Sequence, residues 1–311
     1  MPGAALASLV RTGDVSPAGG RFVAFPAVTG VRSAARTALA FLGSVSGGPS
    51  GVFVAWPSAV VAAALEGGVD GAGNTFCGFR QVGGPPLVDF PDATRVWPVV
   101  VSFVAMTDAG GCASGATGSA LYLTDGESPI LVARTGDPAP IAGAVFAGFV
   151  GDVASAFVNG IPRVLFQARL RGARRGTGLF LWTGAGAAVE TVALSGDPVP
   201  GTTGRLGRLD DVFLGDSEIS EPVSMFRAAV RRAHERAGAF LYFPCCGNGP
   251  LVLDSSAVPT DQFGTGARFG RFRAFGAAAG TGVAALLATV HDGIAPASKT
   301  AVLRCTEVFD P

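Results

Sequence analysis

The residues best equipped for chemistry are basic, and they gather in a few short segments of a chain that carries little charge. Charged residues make up only 15% of the sequence, so a local excess of arginine is informative. Guanidinium groups bind carboxylate, sulfate or phosphate through paired hydrogen bonds. These segments therefore predict an anion-binding surface, and the alternative is an ordinary solvated loop surface. The predicted ligand-binding residues are Arg171, Arg174, Arg175, Arg231, Arg232, His234, Arg236 and His291, with Lys299 further along the last segment.

A second candidate set is acidic, with one aspartate in each of five glycine-rich segments. A ring of carboxylates would supply the hard oxygen ligands that Ca²⁺ requires. The alternative is that each aspartate shapes its own turn by hydrogen bonding to nearby backbone. We prefer the turn interpretation, because it also accounts for the neighbouring Gly and Pro, and we expect no other cofactor. The five aspartates are Asp14, Asp70, Asp137, Asp197 and Asp261.

Catalytic patterns are weak in this sequence. There are only two histidines, His234 and His291, and no GxSxG segment that would mark a serine nucleophile. Glycoside hydrolysis needs two carboxylates flanking the bond, but the segments FVAF, FCGF, FAGF, LGRL and FGRF contain no acid. The sequence therefore favours a non-catalytic protein, with a carbohydrate-active hydrolase as the alternative.

Composition restricts the partners. Lys plus Arg and Asp plus Glu both number 23, so no global field would attract nucleic acid. Apolar residues make up 49% of the chain, which excludes an intrinsically disordered protein. The uncharged stretch from Thr37 to Leu65 is centred on GSVSGGPSG, so it predicts two strands around a turn and not a membrane span. The segment MPGAALASLV has no basic n-region and predicts no signal peptide.

Internal repetition predicts the elements that must position these residues. ILVARTGDPAPIAGAVFAGF, RVLFQARLRG and GLFLWTG are followed by VETVALSGDPVPGTTGRLGRL, VSMFRAAVRR and AFLYFPC, and the same order recurs three more times. Each segment is a short apolar run bounded by Gly, Pro, Asp or Ser, which indicates a strand. An apolar pair three residues apart anchors each repeat. These pairs are Phe22/Phe25, Phe76/Phe79, Phe146/Phe149, Leu206/Leu209 and Phe269/Phe272.

Five repeats of four strands predict an all-β fold, a five-bladed β-propeller with four antiparallel strands per blade. The repeats span approximately residues 14–67, 68–136, 137–196, 197–258 and 259–311, within a single domain of residues 1–311. The first segment, LASLVRTG, has no preceding repeat, and the last, AVLRCTEVF, has no following partner. We expect the N-terminal strand, within residues 1–13, to pair with the C-terminal strand and close the ring, which would leave no bare edge.

The repeat resembles a family of bacterial tandem-repeat proteins, often secreted or surface-anchored, that carry NxxGxxxAF repeats after a GDPAPG turn. Asn159, seven positions before Phe166, matches the family asparagine, whereas Pro162 stands where the family has glycine. The resemblance spans the chain and is sharpest in the third and fourth repeats. It implies a propeller-like fold and an extracytoplasmic setting, and it implies no particular chemistry.

Topology also suggests a use for two of the five cysteines. None of the five forms a CxxC pair, so a structural zinc site is not expected. Buried free thiols are one interpretation, and a disulfide is the other. Cys77 begins the inner strand of the second repeat, and Cys112 lies in a loop at the same end of that repeat. We predict that these two cysteines can approach within disulfide distance.

The function expected from these features is that of a non-catalytic binding or scaffold module. The loops that join the second and third strands should emerge side by side in adjacent blades. This would bring the basic segments together into one surface, which would bind an anionic glycan or protein partner. The alternatives are a carbohydrate-active hydrolase with a central funnel and a structural subunit of a larger assembly.

Ring closure generates the first testable prediction. Deleting residues 1–12 should expose the edge of AVLRCTEVF, so that the truncated protein aggregates or melts at a much lower temperature than the full chain. Light scattering and thermal denaturation would measure this. Unchanged solubility and melting temperature would contradict closure and favour an open stack of repeats.

Overall fold

A computed structural model describes most of the chain and confirms that it is all-β. The described residues are 8–32, 37–56, 59–83, 100–124, 126, 128–158, 161–184, 186–215, 223–231, 237–243, 247–253, 268–278, 283–291 and 299–305. In these ranges the strands form five antiparallel sheets, each built from strands that are consecutive in sequence. No helix in the described ranges is long and apolar enough to cross a membrane.

The chain divides into two compact units, Met1–Asp137 and Pro138–Pro311. The first unit contains sheet I, with β1 (Arg21–Arg32), β2 (Thr37–Ser46), β3 (Gly51–Trp56) and β4 (Ala59–Leu65), and sheet II, with β5 (Thr75–Gly83), β6 (Val101–Asp108), β7 (Gly118–Thr124) and β8 (Ile130–Arg134). The second unit contains sheet III, with β9 (Ala144–Val158), β10 (Ile161–Gly172), β11 (Gly176–Trp182) and β12 (Val189–Leu194), sheet IV, with β13 (Arg205–Gly215), β14 (Val223–Arg231), β15 (Ala237–Phe243) and β16 (Gly247–Leu253), and sheet V, with β17 (Arg268–Ala278), β18 (Val283–His291) and β19 (Lys299–Cys305).

The turn before the first strand repeats the same backbone hydrogen bonds in sheets I, II and IV. The amide of Gly13 donates to the carbonyl of Phe22 at 2.8 Å, and the amide of Gly196 donates to that of Leu206 at 2.7 Å. Returning bonds run from Phe22 to Asp14 and from Leu206 to Asp197. Gly67 makes the same bond to Phe76 in sheet II. The repeats seen in the sequence are therefore repeats of backbone geometry.

A cluster of aromatic rings forms one face of each of sheets I to IV. On the second and third strands, the rings are direct cross-strand partners: Phe41 with Phe53, Phe103 with Tyr122, Phe166 with Phe180 and Phe226 with Phe240. The anchor pair of the first strand completes the cluster. Phe22, for example, meets Phe53 edge to face at 4.9 Å between ring centroids. Such pairs contribute about 0.5–1.5 kcal/mol beyond the area that they bury.

A β-bulge explains why the anchor residues are three apart. Residues three apart in a regular strand face opposite sides of a sheet, yet Phe146 and Phe149 are both buried, as are Leu206 and Leu209. In each of the five described first strands, the pairing register shifts between the two anchor residues. The extra residue in the bulge returns the second anchor to the side of the first.

Within each unit, the ring cluster of one sheet packs against the aliphatic face of the sheet before it. In the first unit, Val52 and Val54 of sheet I share a buried cluster with Phe103 and Tyr122 of sheet II. In the second unit, Leu165 and Leu179 of sheet III share one with the rings of sheet IV. Both faces of the middle strands are therefore buried. This explains why those strands read as nearly continuous apolar runs in the sequence.

Two residues near the N-terminus cover the rings of sheet I. Leu9 and Val10 are partly buried and pack against Phe22, Phe41 and Phe53. Residues 8–13 are not in a strand, and residues 1–7 lie outside the described ranges. The Leu9→Ala/Val10→Ala variant is therefore a control for the N-terminal truncation, because it removes this packing and keeps the backbone.

Sheet II differs from sheets I, III and IV by a polar pair, in which a tyrosine stands at a phenylalanine position of the ring cluster and an aspartate stands at a turn position. Tyr122 occupies the position of Phe53, Phe180 and Phe240, and its hydroxyl donates to Asp70 Oδ2 at 2.8 Å. Both side chains are buried. Asp70 also accepts hydrogen bonds from the amides of Ala72 and Asn74, from the Asn74 side chain, and it lies 3.6 Å from Arg134 Nη2.

The net effect of these contacts is a lowered pKa for Asp70. Burial by itself raises the pKa of this carboxyl, but the hydrogen bonds from Asn74, Tyr122 and Ala72 together outweigh burial and lower it. The same pair raises the pKa of Tyr122, through burial first and the hydrogen bond to Asp70 second. A carboxyl with a depressed pKa stabilises the fold above its unfolded pKa of about 3.9, and this stabilisation is lost as the pH falls through the folded value.

The polar pair generates a stability prediction. Tyr122→Phe should destabilise the protein by about 1–3 kcal/mol, because Asp70 stays buried with one donor fewer. Asp70→Ser combined with Tyr122→Phe installs the pair that sheet I has, Ser16 with Phe53, and should be more stable than Tyr122→Phe alone. It should also lose less stability than the wild type below pH 4. Urea denaturation at several pH values would measure both effects, and a double variant less stable than Tyr122→Phe would contradict the prediction.

Candidate functional site

One end of the second unit collects the turns and the basic residues. Arg174, in the loop between β10 and β11, donates from Nη2 to Asp197 Oδ1 at 3.1 Å and to the carbonyl of Ser195 at 3.3 Å. In the same loop, the amide of Ala173 donates to the carbonyl of Gly143 at 2.9 Å. The second-to-third loop of sheet III therefore lies beside the turns at residues 138–143 and 195–204. We call this region, where β9, β13 and β17 begin and β10, β14 and β18 end, the loop end.

Several cations of the loop end face solvent. Arg171 and Arg175 of sheet III and Arg231 of sheet IV are exposed. Within the described ranges, none of the three has an ion-pair partner. Arg174 differs from them, because its bond to Asp197 fixes the loop to the neighbouring turn. The four predicted arginines that the structure describes thus divide into Arg174, which holds the loop, and three that face solvent.

The strand register places further positive charge opposite these residues. Arg205 on β13 is the direct cross-strand partner of Arg231. Arg268 on β17 is paired in the same way with His291, and Val145 on β9 with Arg171. Like charges directly opposite each other destabilise an antiparallel pair. The end of sheet IV therefore places two like charges directly opposite each other.

The first strands contain arginines that we did not predict as ligand-binding residues. Arg205 and Arg208 flank the first anchor of sheet IV, and Arg268 begins β17 in the corresponding position. Arg205 donates from Nη1 to the carbonyl of Gly196 at 2.8 Å, and Arg208 lies 2.8 Å from Asp210. The sequence pattern that could have identified these arginines is an R-x-x-R spacing, which occurs in two successive repeats as RLGRL and RFGRF. Their significance becomes visible only when the register pairs Arg205 with Arg231.

Part of the predicted basic set falls outside the described residues. Arg232, His234 and Arg236 lie there, beyond the end of β14 at Arg231. His291 ends β18 and Lys299 begins β19, so the backbone places both at the loop end. Asn159 and Asp261 also lie outside the described residues.

The described aspartates serve their own turns. Asp14, Asp137 and Asp197 each accept a hydrogen bond from the backbone amide three residues earlier, at 2.8, 2.8 and 3.0 Å. Asp70 does not occupy the equivalent position, because the turn hydrogen bonds align it with Ser16 and align Gly68 with Asp14. The predicted ring of equivalent carboxylates is therefore wrong at Asp70. In the described part of the chain, no three His, Cys, Asp or Glu residues gather where they could hold a metal ion.

Cys77 and Cys112 form a disulfide in the structure, with 5.2 Å between their Cα atoms. This is the pair that the topology of the second repeat suggested. Cys112 lies in a short 3₁₀ turn, Cys112–Ser114, within the loop between β6 and β7. Asp108 orders the same loop by accepting hydrogen bonds from the amide of Gly110 and the hydroxyl of Thr117. The disulfide therefore fastens this loop to the start of β5.

The disulfide generates a redox prediction. It closes a segment with a sequence separation of 35, for which chain entropy gives a stabilisation of roughly 4 kcal/mol. Reduction, or the Cys77→Ser/Cys112→Ser variant, should lower the melting temperature, because the unfolded chain gains that freedom. Calorimetry with and without dithiothreitol would measure the effect. The double variant is the control, because dithiothreitol has no Cys77–Cys112 disulfide to reduce in it. A wild type insensitive to reductant would contradict the prediction.

No curated protein matches the chain. The sequence profile of a family of unknown function, DUF7453, matches residues 2–217, which is more than half of the chain. The chain therefore belongs to this family of unknown function.

Proposed function

We propose that this protein is a non-catalytic binding module whose loop end binds an anionic glycan or an anionic protein surface. The observation that carries the proposal is the group of exposed arginines, Arg171, Arg175 and Arg231, without ion-pair partners in the described ranges. The opposed pair of Arg205 and Arg231 supports it. Arginine is suited to this role because its planar guanidinium binds carboxylate or sulfate in a bidentate manner.

The charge balance of the chain supports a local site. The formal net charge is zero, so attraction to an anion must come from a local cluster and not from the whole molecule. Exposed charges are screened over about 8–10 Å at physiological ionic strength. Binding at the loop end should therefore weaken steeply as salt is added. A hydrophobic docking surface would respond to salt in the opposite direction.

The architecture that we propose for this module is a closed five-bladed propeller. Leu9 and Val10 lie four and three residues before Gly13, as Val192 and Ala193 lie before Gly196. Val192 and Ala193 belong to the fourth strand of sheet III and pack in the cluster that contains the rings of sheet IV. Leu9 and Val10 pack in the same way against the rings of sheet I. This correspondence is expected if the N-terminal segment is the fourth strand of a preceding blade.

An extracytoplasmic location belongs to the same proposal. The Cys77–Cys112 disulfide supports it, because disulfides persist in oxidising compartments and are rare in the cytosol of mesophiles. The resemblance of the repeats to secreted and surface-anchored proteins points the same way. An anionic glycan is a ligand that such a compartment provides.

The test is binding to sulfated dextran and polygalacturonate over a salt series, measured by titration calorimetry. Arg171→Ser/Arg175→Ser keeps Arg174, and with it the contact that fixes the loop. We expect this variant to bind about 2- to 30-fold more weakly, since each exposed charge contact contributes about 0.2–1 kcal/mol. Arg80→Ser, which removes an exposed cation from β5, is the matched control and should bind like the wild type.

Two outcomes would reject the binding proposal. One is a wild type that shows no salt-sensitive binding to either polymer, and the other is a double variant that binds as tightly as the wild type. Release of reducing ends from a bound polymer would instead favour the hydrolase alternative.

A further inference from the structure

We infer that the ligand of the loop end is a linear anionic polysaccharide that crosses sheets III, IV and V and places at least one negative group on each sheet. This inference rests on the proposed function and adds to it the form of the ligand. It distinguishes a polymer held at many weak points from a small anion held in one pocket. Three observations lead to it.

The first observation is that cations recur with the period of the sheets. Arg205 begins β13 and Arg268 begins β17, each one residue before the first anchor of its repeat. The partner strands supply Arg231 and His291 at the positions directly opposite. In sheet III, Arg171 occupies the place of Arg231 in sheet IV. β13 lies beside both β9 and β17, so the repeated positions follow one another across the unit.

The second observation is that the described cations of the loop end lie on open surface. Arg171, Arg175 and Arg231 are exposed, and the side chain of Arg208 is 77% exposed. Among the described residues, the buried charged side chains are Asp70 and Asp108, both in the first unit. A pocket for a single phosphate or sulfate would need buried donors that converge on it. Exposed cations at repeated positions instead fit a ligand that repeats its charge.

The third observation concerns the class of polymer. Among the side chains that the structure describes, the large apolar ones that are exposed are valine, isoleucine and leucine, and none of them is aromatic. Proteins that bind single-stranded nucleic acid stack bases on exposed aromatic rings. A sulfated or uronate polysaccharide needs charge contacts and no stacking platform. The surface therefore favours an anionic polysaccharide over a nucleic acid.

Weak contacts on one chain explain how such a surface could bind well. Each exposed charge pair contributes little by itself. When one site is occupied, the next negative group of the same chain is already held nearby, so later contacts form at a high effective concentration. Affinity should therefore grow with ligand length until the chain reaches from sheet III to sheet V.

The experiment measures the affinity of the full-length protein for heparin-derived oligosaccharides, from the disaccharide to the dodecasaccharide, at several salt concentrations. We expect affinity to rise at least roughly tenfold along the series. The salt dependence should become steeper with length, since a longer ligand neutralises more cations. Single-stranded DNA of matched charge is the comparison polymer and should bind more weakly than the longest oligosaccharide.

Single variants in different sheets separate the contributions. Arg171→Ser in sheet III and Arg231→Ser in sheet IV should each lower the affinity for the dodecasaccharide and reduce its salt slope by about one charge contact. The combined variant should lose the sum of the two effects. Arg80→Ser on β5 is the control and should leave affinity and slope unchanged.

The outcomes distinguish this inference from the proposed function. Salt-sensitive binding of equal strength at every length would overturn the polymer inference and keep the anion site. The absence of binding at any length would reject both. DNA binding as tight as that of the longest oligosaccharide would overturn the polysaccharide class.

Discussion

Within each unit, the structure depends on one packing arrangement, in which the ring cluster of sheet II or sheet IV lies against the aliphatic face of the sheet before it. Phe166 and Phe180 are direct partners on adjacent strands, and Phe146 meets Phe180 edge to face at 5.1 Å. These rings could not lie on one face if the first strand were regular, because Phe146 and Phe149 are three residues apart. The bulge between them is therefore a requirement of the core. It also shifts the cross-strand register, and so it determines which residues of the second strand lie opposite the start of the first strand.

This arrangement fixes the strands and leaves the loop between the second and third strands of each sheet variable. In sheet II the variable residues build a cross-linked loop, with the Cys77–Cys112 disulfide and Asp108 holding it in place. In sheet III the corresponding loop is held by Arg174 and presents Arg171 and Arg175 to solvent. Tyr122 and Asp70 show that even the core tolerates a polar exchange when both partners change together. Repeats of one backbone geometry thus carry different chemistry at the same end of each sheet.

Sheet IV carries one pair of like charges that the fold itself does not require. Arg205 and Arg231 are directly opposite on neighbouring strands, where like charges destabilise the pair. Buried aromatic and aliphatic packing elsewhere in the unit is large enough to tolerate a cost of a few tenths of a kcal/mol to about 1 kcal/mol. An anion bound between the two guanidinium groups would turn that repulsion into attraction.

The sequence by itself determined the all-β class, the strands and the turns, because apolar runs and glycine-rich turns are local signals. It also indicated that Cys77 and Cys112 lie at the same end of the second repeat, because the repeat pattern assigns Cys77 to the first strand and Cys112 to the loop between the second and third strands. The alignment of Asp70 with Asp14 was wrong, because spacing in the chain cannot reveal that a turn in sheet II holds its aspartate two residues later. The roles of the arginines were also beyond the sequence. Cross-strand register after a bulge depends on how rings pack against the neighbouring sheet, and only that tertiary packing places Arg231 opposite Arg205 and ties Arg174 to Asp197.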